Sequence, residues 1–149
     1  MAEAVVVRAG VLVIHPGALG DVLQAVPALA ALRALEEGNR LTFAGQMRIG
    51  RLLAGASLVE AALPFDGLRL ETLFAADPVP PSVKSSLGRF DRVVSWFGSR
   101  VDPFAERFRS LVPEVLLAPS VPETGPPPTV WEHLLGTLFP WGVKVPRGL

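Results

Sequence analysis

Short segments with the character of strands recur along the chain at 11–14, 41–45, within 58–65, at 92–96 and at 114–118, and this recurrence limits the folds open to it. The first, Val11-Leu12-Val13-Ile14, stops at His15-Pro16-Gly17. A short β-branched run bounded by proline and glycine reads as a strand buried on both faces, as in a parallel sheet. The intervening stretches read as helices. Asp21 to Glu36 carries Val22, Val26, Leu29 and Leu32 at helical spacing and ends at Gly38-Asn39, a C-cap signal. Pro27 inside it removes an N–H and crowds the carbonyl of Leu23, which predicts a kink, or a short turn and then a helix starting near Pro27. Further helices are expected over 48–53, 68–76 and 102–111 and from 129 to about 139, with one helical turn at 83–87. Asp102 is expected as an N-cap with Pro103 at the first helical position, and Thr129 with Glu132 as a capping box. Residues 78–81 and 119–128 are proline-rich loops. This alternation predicts an α/β fold: a Rossmann-like parallel sheet with right-handed crossovers and helices on both faces. Such sheets bind ligands beyond the carboxyl ends of their strands, which singles out loops 15–21, 45–48, 65–68, 96–102 and 118–128.

Composition narrows the function. The 149 residues hold 14 Lys+Arg against 14 Asp+Glu, a formal net charge of +0, and half of the residues are hydrophobic. Such a chain folds, and it lacks the basic excess that nucleic-acid binding draws on. With 0 Cys it has no disulfides and no thiolate metal sites. No stretch reaches the ~18 uninterrupted apolar residues of a membrane span. The apolar start carries Glu3, His15, Asp21 and Gln24, so it reads as mature protein and not as a secretory leader. The expected location is cytoplasmic.

The turn His15-Pro16-Gly17-Ala18-Leu19-Gly20-Asp21 is the leading candidate site. Glycines let backbone approach a ligand, and helix starts attract anions; a plain tight turn with Asp21 as a capping charge is the alternative. The glycines are spaced G-x-x-G, no acidic residue closes the second strand (Ala44-Gly45-Gln46), and GK[ST] is absent, which disfavours a nicotinamide-dinucleotide site and excludes a P-loop. Asp21 is a carboxylate at a helix start, where the dipole favours its ionised form, and such a group can accept the proton of an attacking hydroxyl. Trp96-Phe97-Gly98-Ser99-Arg100 follows the fourth strand either as a wall for an acceptor, with Ser99 and Arg100 offering hydrogen bonds or charge, or as an aromatic core plug with a glycine turn. Arg48, Arg51 and Arg100 either meet an anionic substrate or are solvated surface residues, the second being the expectation. His15 either orients a ligand or is a hydrogen-bonded structural histidine, and His133 reads as structural. Two distant histidines without carboxylates at ligand spacing make no metal site, and no cofactor is expected.

The stretch from Val11 to Arg33, with Gly20-Asp21 and then an apolar helix holding Pro27 near its sixth position, resembles the start of bacterial ADP-heptose:lipopolysaccharide heptosyltransferases of glycosyltransferase family nine. Leu41–Gly45, Pro64-Phe65-Asp66 and Phe90–Ser95 resemble the family in the same order. Many relatives carry Arg where His15 stands, and several have Ser-Ser or Ser-Met in the loop. The resemblance implies a GT-B enzyme of two Rossmann-like lobes, of which residues 1–149 correspond to the N-terminal, acceptor-side lobe. The nucleotide-sugar lobe would follow Trp141-Gly142 and is absent from the sequence, which ends at Arg147-Gly148-Leu149. It implies Asp21 as catalytic base and His15, Gly17, Ala18, Leu19, Gly20, Trp96, Ser99 and Arg100 as substrate-binding residues. The implied partners are a nucleotide sugar of ADP-heptose type and a glycan or glycolipid acceptor, the latter giving peripheral contact with the inner face of the cytoplasmic membrane. The isolated lobe is expected to be inactive. The competing expectation is a non-catalytic Rossmann-like module that binds an anionic glycan or nucleotide.

Overall fold

The structure is a computed structural model that describes residues 10–125 and 128–143. The chain termini, where the leader and chain-end expectations rest, lie outside these residues, as do positions 126–127 of the expected second proline-rich loop.

Strand β1 (Val11–Ile14) is buried at every position, as its continuous apolar run requires. It pairs in parallel with β2 (Leu41–Gly45) on one side and β4 (Arg92–Ser95) on the other. The edges are β3 (Ala61–Pro64) and β5 (Glu114–Leu117), giving the all-parallel order β3-β2-β1-β4-β5. After β3 the chain returns to the far side of β1, so the order reverses between β1 and β4. A crevice opens at such a switch point beyond the carboxyl ends of the two strands.

Alternate β1 side chains serve two cores. Val11 and Val13, with Phe43 and Val94, pack against α2 (Val26–Leu35), α3 (Met47–Gly55) and α6 (Val130–Gly136) through Leu29, Leu32, Ile49, Leu53, Leu134 and Leu135. Leu12 and Ile14, with Ala44 and Val93, meet Leu70, Leu73, the helix α4 (Pro81–Gly88) and the helix α5 (Asp102–Leu111), whose Phe104 and Phe108 are fully buried. Helices thus cover both faces.

Pro27 acts as anticipated. A five-residue helix α1 (Leu19–Leu23) stops before it, the Gln24 and Ala25 N–H groups turn back to the Asp21 and Val22 carbonyls, and α2 begins at Val26. At the second position of α2 the proline lacks only an N–H that a helix start leaves free, and the Leu23 carbonyl it would crowd lies outside that helix. The capping box at Thr129 and Glu132 is also present, with the Thr129 N–H donating to Glu132 Oε1 at 3.4 Å and Thr129 Oγ1 donating to the same oxygen at 2.6 Å.

Three helical expectations need correction. Residues 68–76 form no α-helix; 3-10 turns at Phe65–Leu68 and Leu70–Leu73 flank Arg69, whose positive φ of 52° breaks any continuous helix. The prolines at 80–81 start α4 instead of only ending a loop, so that helix runs two turns. Val101, not Asp102, is the N-cap of α5; Asp102 makes no capping hydrogen bond and acts as an acidic charge in the first turn.

The amino end of the sheet is stitched by ion pairs. Arg92 Nη1 donates to Glu36 Oε1 at 2.8 Å and Nε to Glu114 Oε2 at 2.6 Å, while its guanidinium lies over the Trp141 ring. Nearby, Glu60 accepts from Arg33 at 2.7 Å and from the Leu41 N–H at 3.1 Å. Desolvation alone would raise the Glu60 carboxyl, but those donors outweigh it and hold the pKa below its ordinary 4.5. This contribution to stability is present above about pH 4.5 and is lost as the medium becomes more acid.

Candidate functional site

His15 extends the β1 ladder by one residue, its N–H donating to the Ala44 carbonyl at 3.0 Å, before Pro16 turns the chain away. The side chain is 3% exposed. Its Nδ1 accepts the Gly17 N–H at 3.1 Å, so the neutral ring carries its proton on Nε2. The imidazole meets the Trp96 ring edge-on, with centroids 5.9 Å apart. Burial lowers its pKa below the ordinary 6.5, partly opposed by the Asp21 carboxylate and by the carbonyl of its own backbone, both of which favour the charged ring.

A pH dependence follows. The unfolded chain takes up a proton below pH 6.5 that the folded His15 refuses, so stability holds above that value and declines as pH falls. Chemical denaturation of wild type and His15→Asn across pH 5–8 checks this. The variant is expected to lack the part of the decline that begins near 6.5.

Gly17 is a steric necessity. A Cβ there would sit 2.6 Å from His15 Cε1 and 3.1 Å from Asp21 Cβ, so the imidazole and the Asp21 side chain flank the same point. The Gly17 carbonyl is held by Gln46 Nε2 at 3.3 Å. Gly20 differs: it is helical and exposed, and a Cβ there would meet nothing within 4 Å. Asp21 occupies the first turn of α1, exposed and facing the crevice, while Val22 beside it is fully buried and pins the helix.

These residues line a cavity of about 600 Å³ with Gln24, Trp96, Phe97, Ser120, Val121 and Val130. A groove of about 330 Å³ continues past Trp96 and Phe97 to Ser99 and Arg100. The sheet order brings His15, Gly17, Gly20, Asp21 and Trp96 into one cavity and puts Ser99 and Arg100 in the adjoining groove. Ala18 and Leu19 are exposed on the outside of the turn and line neither space. Trp96 is 3% exposed, and its indole N–H is committed to Thr137 Oγ1 at 2.9 Å, so it serves as a floor without a free donor. Arg48 and Arg51 are exposed and lie outside both spaces. His133 is structural: its Nε2 contacts the Pro119 carbonyl at 2.7 Å and holds the loop after β5. That loop contributes Ser120 and Val121, which the sequence marked only as part of a candidate segment; the signal was their position just past the end of β5. Among the described residues, no group of three or more His, Cys, Asp or Glu is placed to hold a metal ion, and no helix is long and apolar enough to cross a membrane.

No family model and no curated protein matches the sequence. Solved structures do match. A family 9 glycosyltransferase from Veillonella parvula superposes with a TM-score of 0.58 at 14% identity, over 97% of this chain and 44% of that one. Escherichia coli heptosyltransferase WaaC with ADP gives 0.53 at 15%, over 93% and 49%. The same enzyme with ADP-2-deoxy-2-fluoro heptose gives 0.56 at 13%, over 94% and 50%. The fold is one shared with glycosyltransferases. At these identities the likeness concerns the fold, and the chain spans about half the length of the proteins it matches.

Proposed function

We propose that this chain is the N-terminal, acceptor-side lobe of an inverting GT-B glycosyltransferase of heptosyltransferase type. In this reading it helps to move a sugar from a nucleotide sugar of ADP-heptose type to a hydroxyl of a lipopolysaccharide-core-type acceptor. The observation that carries the reading is Asp21: an exposed carboxylate beyond the carboxyl end of β1, at the β1/β4 switch point, on the wall of a cavity large enough for a sugar. The shared fold and the ADP-bound state of one matching enzyme support it.

Asp21 then acts as general base. It accepts the proton of the acceptor hydroxyl as that oxygen bonds to the anomeric carbon; the bond from that carbon to the diphosphate breaks, and ADP leaves with its electron pair. One displacement inverts the anomeric configuration. His15, Gly17, Gly20 and Trp96 shape the acceptor end of the cavity, and Ser99 and Arg100 extend it. The reaction takes place at the cytoplasmic face of the membrane, which the lipid-linked acceptor approaches.

The test is an assay with ADP-heptose and lipopolysaccharide-core acceptors. A protein carrying this chain together with a second lobe is expected to transfer with inversion, and the 149-residue chain alone is expected to transfer nothing, since half of the cleft would be missing. Robust transfer by the chain alone would refute the two-lobe reading. Tight ADP binding by the chain alone, measured by calorimetry, would favour a non-catalytic binding module.

A further inference from the structure

His15 carries one polar atom that the described residues leave without a partner. Nδ1 is occupied by the Gly17 N–H, and Nε2 makes no hydrogen bond with a described residue. Among the described residues no side-chain nitrogen or oxygen is both buried and unpartnered, so Nε2 is not sealed in. His15 lines the cavity although its side chain is almost wholly enclosed. The ring is held in this orientation by the Gly17 N–H bond on Nδ1 and by its edge-on contact with Trp96.

The electrostatics of the cavity select what that donor meets. Among the described residues its lining holds Asp21 and His15 as the titratable side chains and contains no Lys or Arg. An anion placed there would face a carboxylate with no cation to offset it. The free guanidinium lies in the next groove, at Arg100, which has no ion pair among the described residues.

We infer that His15 is a specificity-determining residue whose Nε2–H donates to a hydroxyl oxygen of an uncharged sugar ring seated beside Asp21, so that the cavity selects the neutral polyol part of a substrate and leaves its anionic groups outside. Asp21 takes a proton-bearing hydroxyl and His15 a hydroxyl oxygen, so together they bracket a diol. Burial of the imidazole, which keeps it neutral near pH 7, sustains that role: protonation would put a proton on Nδ1 and break the Gly17 bond. This inference rests on the reading of the cavity as a sugar-transfer site.

The chain has two histidines, which makes imidazole ¹⁵N–¹H spectra of the 149-residue protein a direct test. A His133→Gln variant assigns the two sets of signals. Methyl α-D-mannopyranoside is expected to shift Nε2 of His15 and leave His133 in place, while inorganic phosphate and glucuronate leave His15 unmoved. His15→Gln keeps a donor where Nε2 stood and is expected to keep most of the glycoside binding. His15→Asn keeps an acceptor for the Gly17 N–H, visible as an unchanged Gly17 amide signal, but loses the outer donor; it is expected to bind at least about tenfold more weakly. A phosphate or glucuronate response stronger than that to the glycoside, glycoside binding by His15→Asn equal to wild type, or no response of His15 to the glycoside at millimolar concentration would each overturn the inference. These readouts need no turnover. A two-lobe protein without transferase activity whose His15 still answers to the glycoside would sink the transferase reading and leave the donor role standing.

Discussion

Asp21→Ala in the two-lobe protein is expected to lower kcat by about 10²–10⁴-fold, the usual worth of a positioned general base. KM is expected to rise far less than kcat falls, because the hydrogen bond from the bound hydroxyl is a small loss beside that of the proton transfer. The side chain is exposed and makes no hydrogen bond or ion pair with other described residues, so the variant should unfold within about 0.5 kcal/mol of wild type. Asp21→Asn, which keeps the shape and removes the basicity, should behave alike. Steady-state kinetics beside a denaturation curve separate catalysis from folding. Wild-type turnover by either variant would falsify the assignment. A second readout is local: Asp21 opposes the downward shift of the His15 pKa, so its removal should send that pKa lower still.

The largest loss of stability is expected from Gly10→Ala. Gly10 has φ +81°, a conformation that costs an L-residue about 1–2 kcal/mol. The added Cβ would also overlap the Arg40 carbonyl oxygen, which cannot move because it accepts the Val11 N–H at 2.9 Å. On its other side Gly10 accepts the Asp91 N–H at 2.9 Å, so the residue links the approaches to β1, β2 and β4. The change should cost about 3–5 kcal/mol, a large share of the stability of a domain this size. The midpoint of thermal unfolding should fall by about 10 °C, and an unchanged midpoint would mean that this junction is far softer than drawn. Gly20→Ala is the control, since its Cβ would meet open space.

The sheet was readable because its strands are unambiguous local signals. Val11–Ile14 is apolar without interruption and Leu41–Gly45 is broken only by the small, buried Thr42, the pattern of a parallel strand covered on both faces. The break at Pro27 was readable for the same reason: one residue with a fixed steric consequence. The region 68–76 was not, because Leu68, Leu70 and Leu73 are buried by the tertiary fold while Arg69 takes a left-handed conformation that no neighbouring residue announces. Within the site, Asp21 and His15 stood out from their place at the end of the first strand. Ser120, Val121 and Val130 did not, since their arrival at the cavity depends on β5 lying next to β4 and on His133 holding the intervening loop at Pro119. The Nε2 of His15, without a partner among the described residues, belongs to neither class. It is a property of what surrounds the ring, and sequence gives only the ring.

The Arg92 junction with Glu36, Glu114 and Trp141 lies at the opposite pole of the sheet from the cavity. Rigidity and recognition are thus assigned to separate ends of the same strands. Loop libraries confined to 15–21, 96–102 and 118–125 can be screened for altered ligand preference without eroding the clasp that keeps β4, β5 and α2 together. Conversely, thermostabilising changes made at the Arg92 pole should leave the recognition profile as it is.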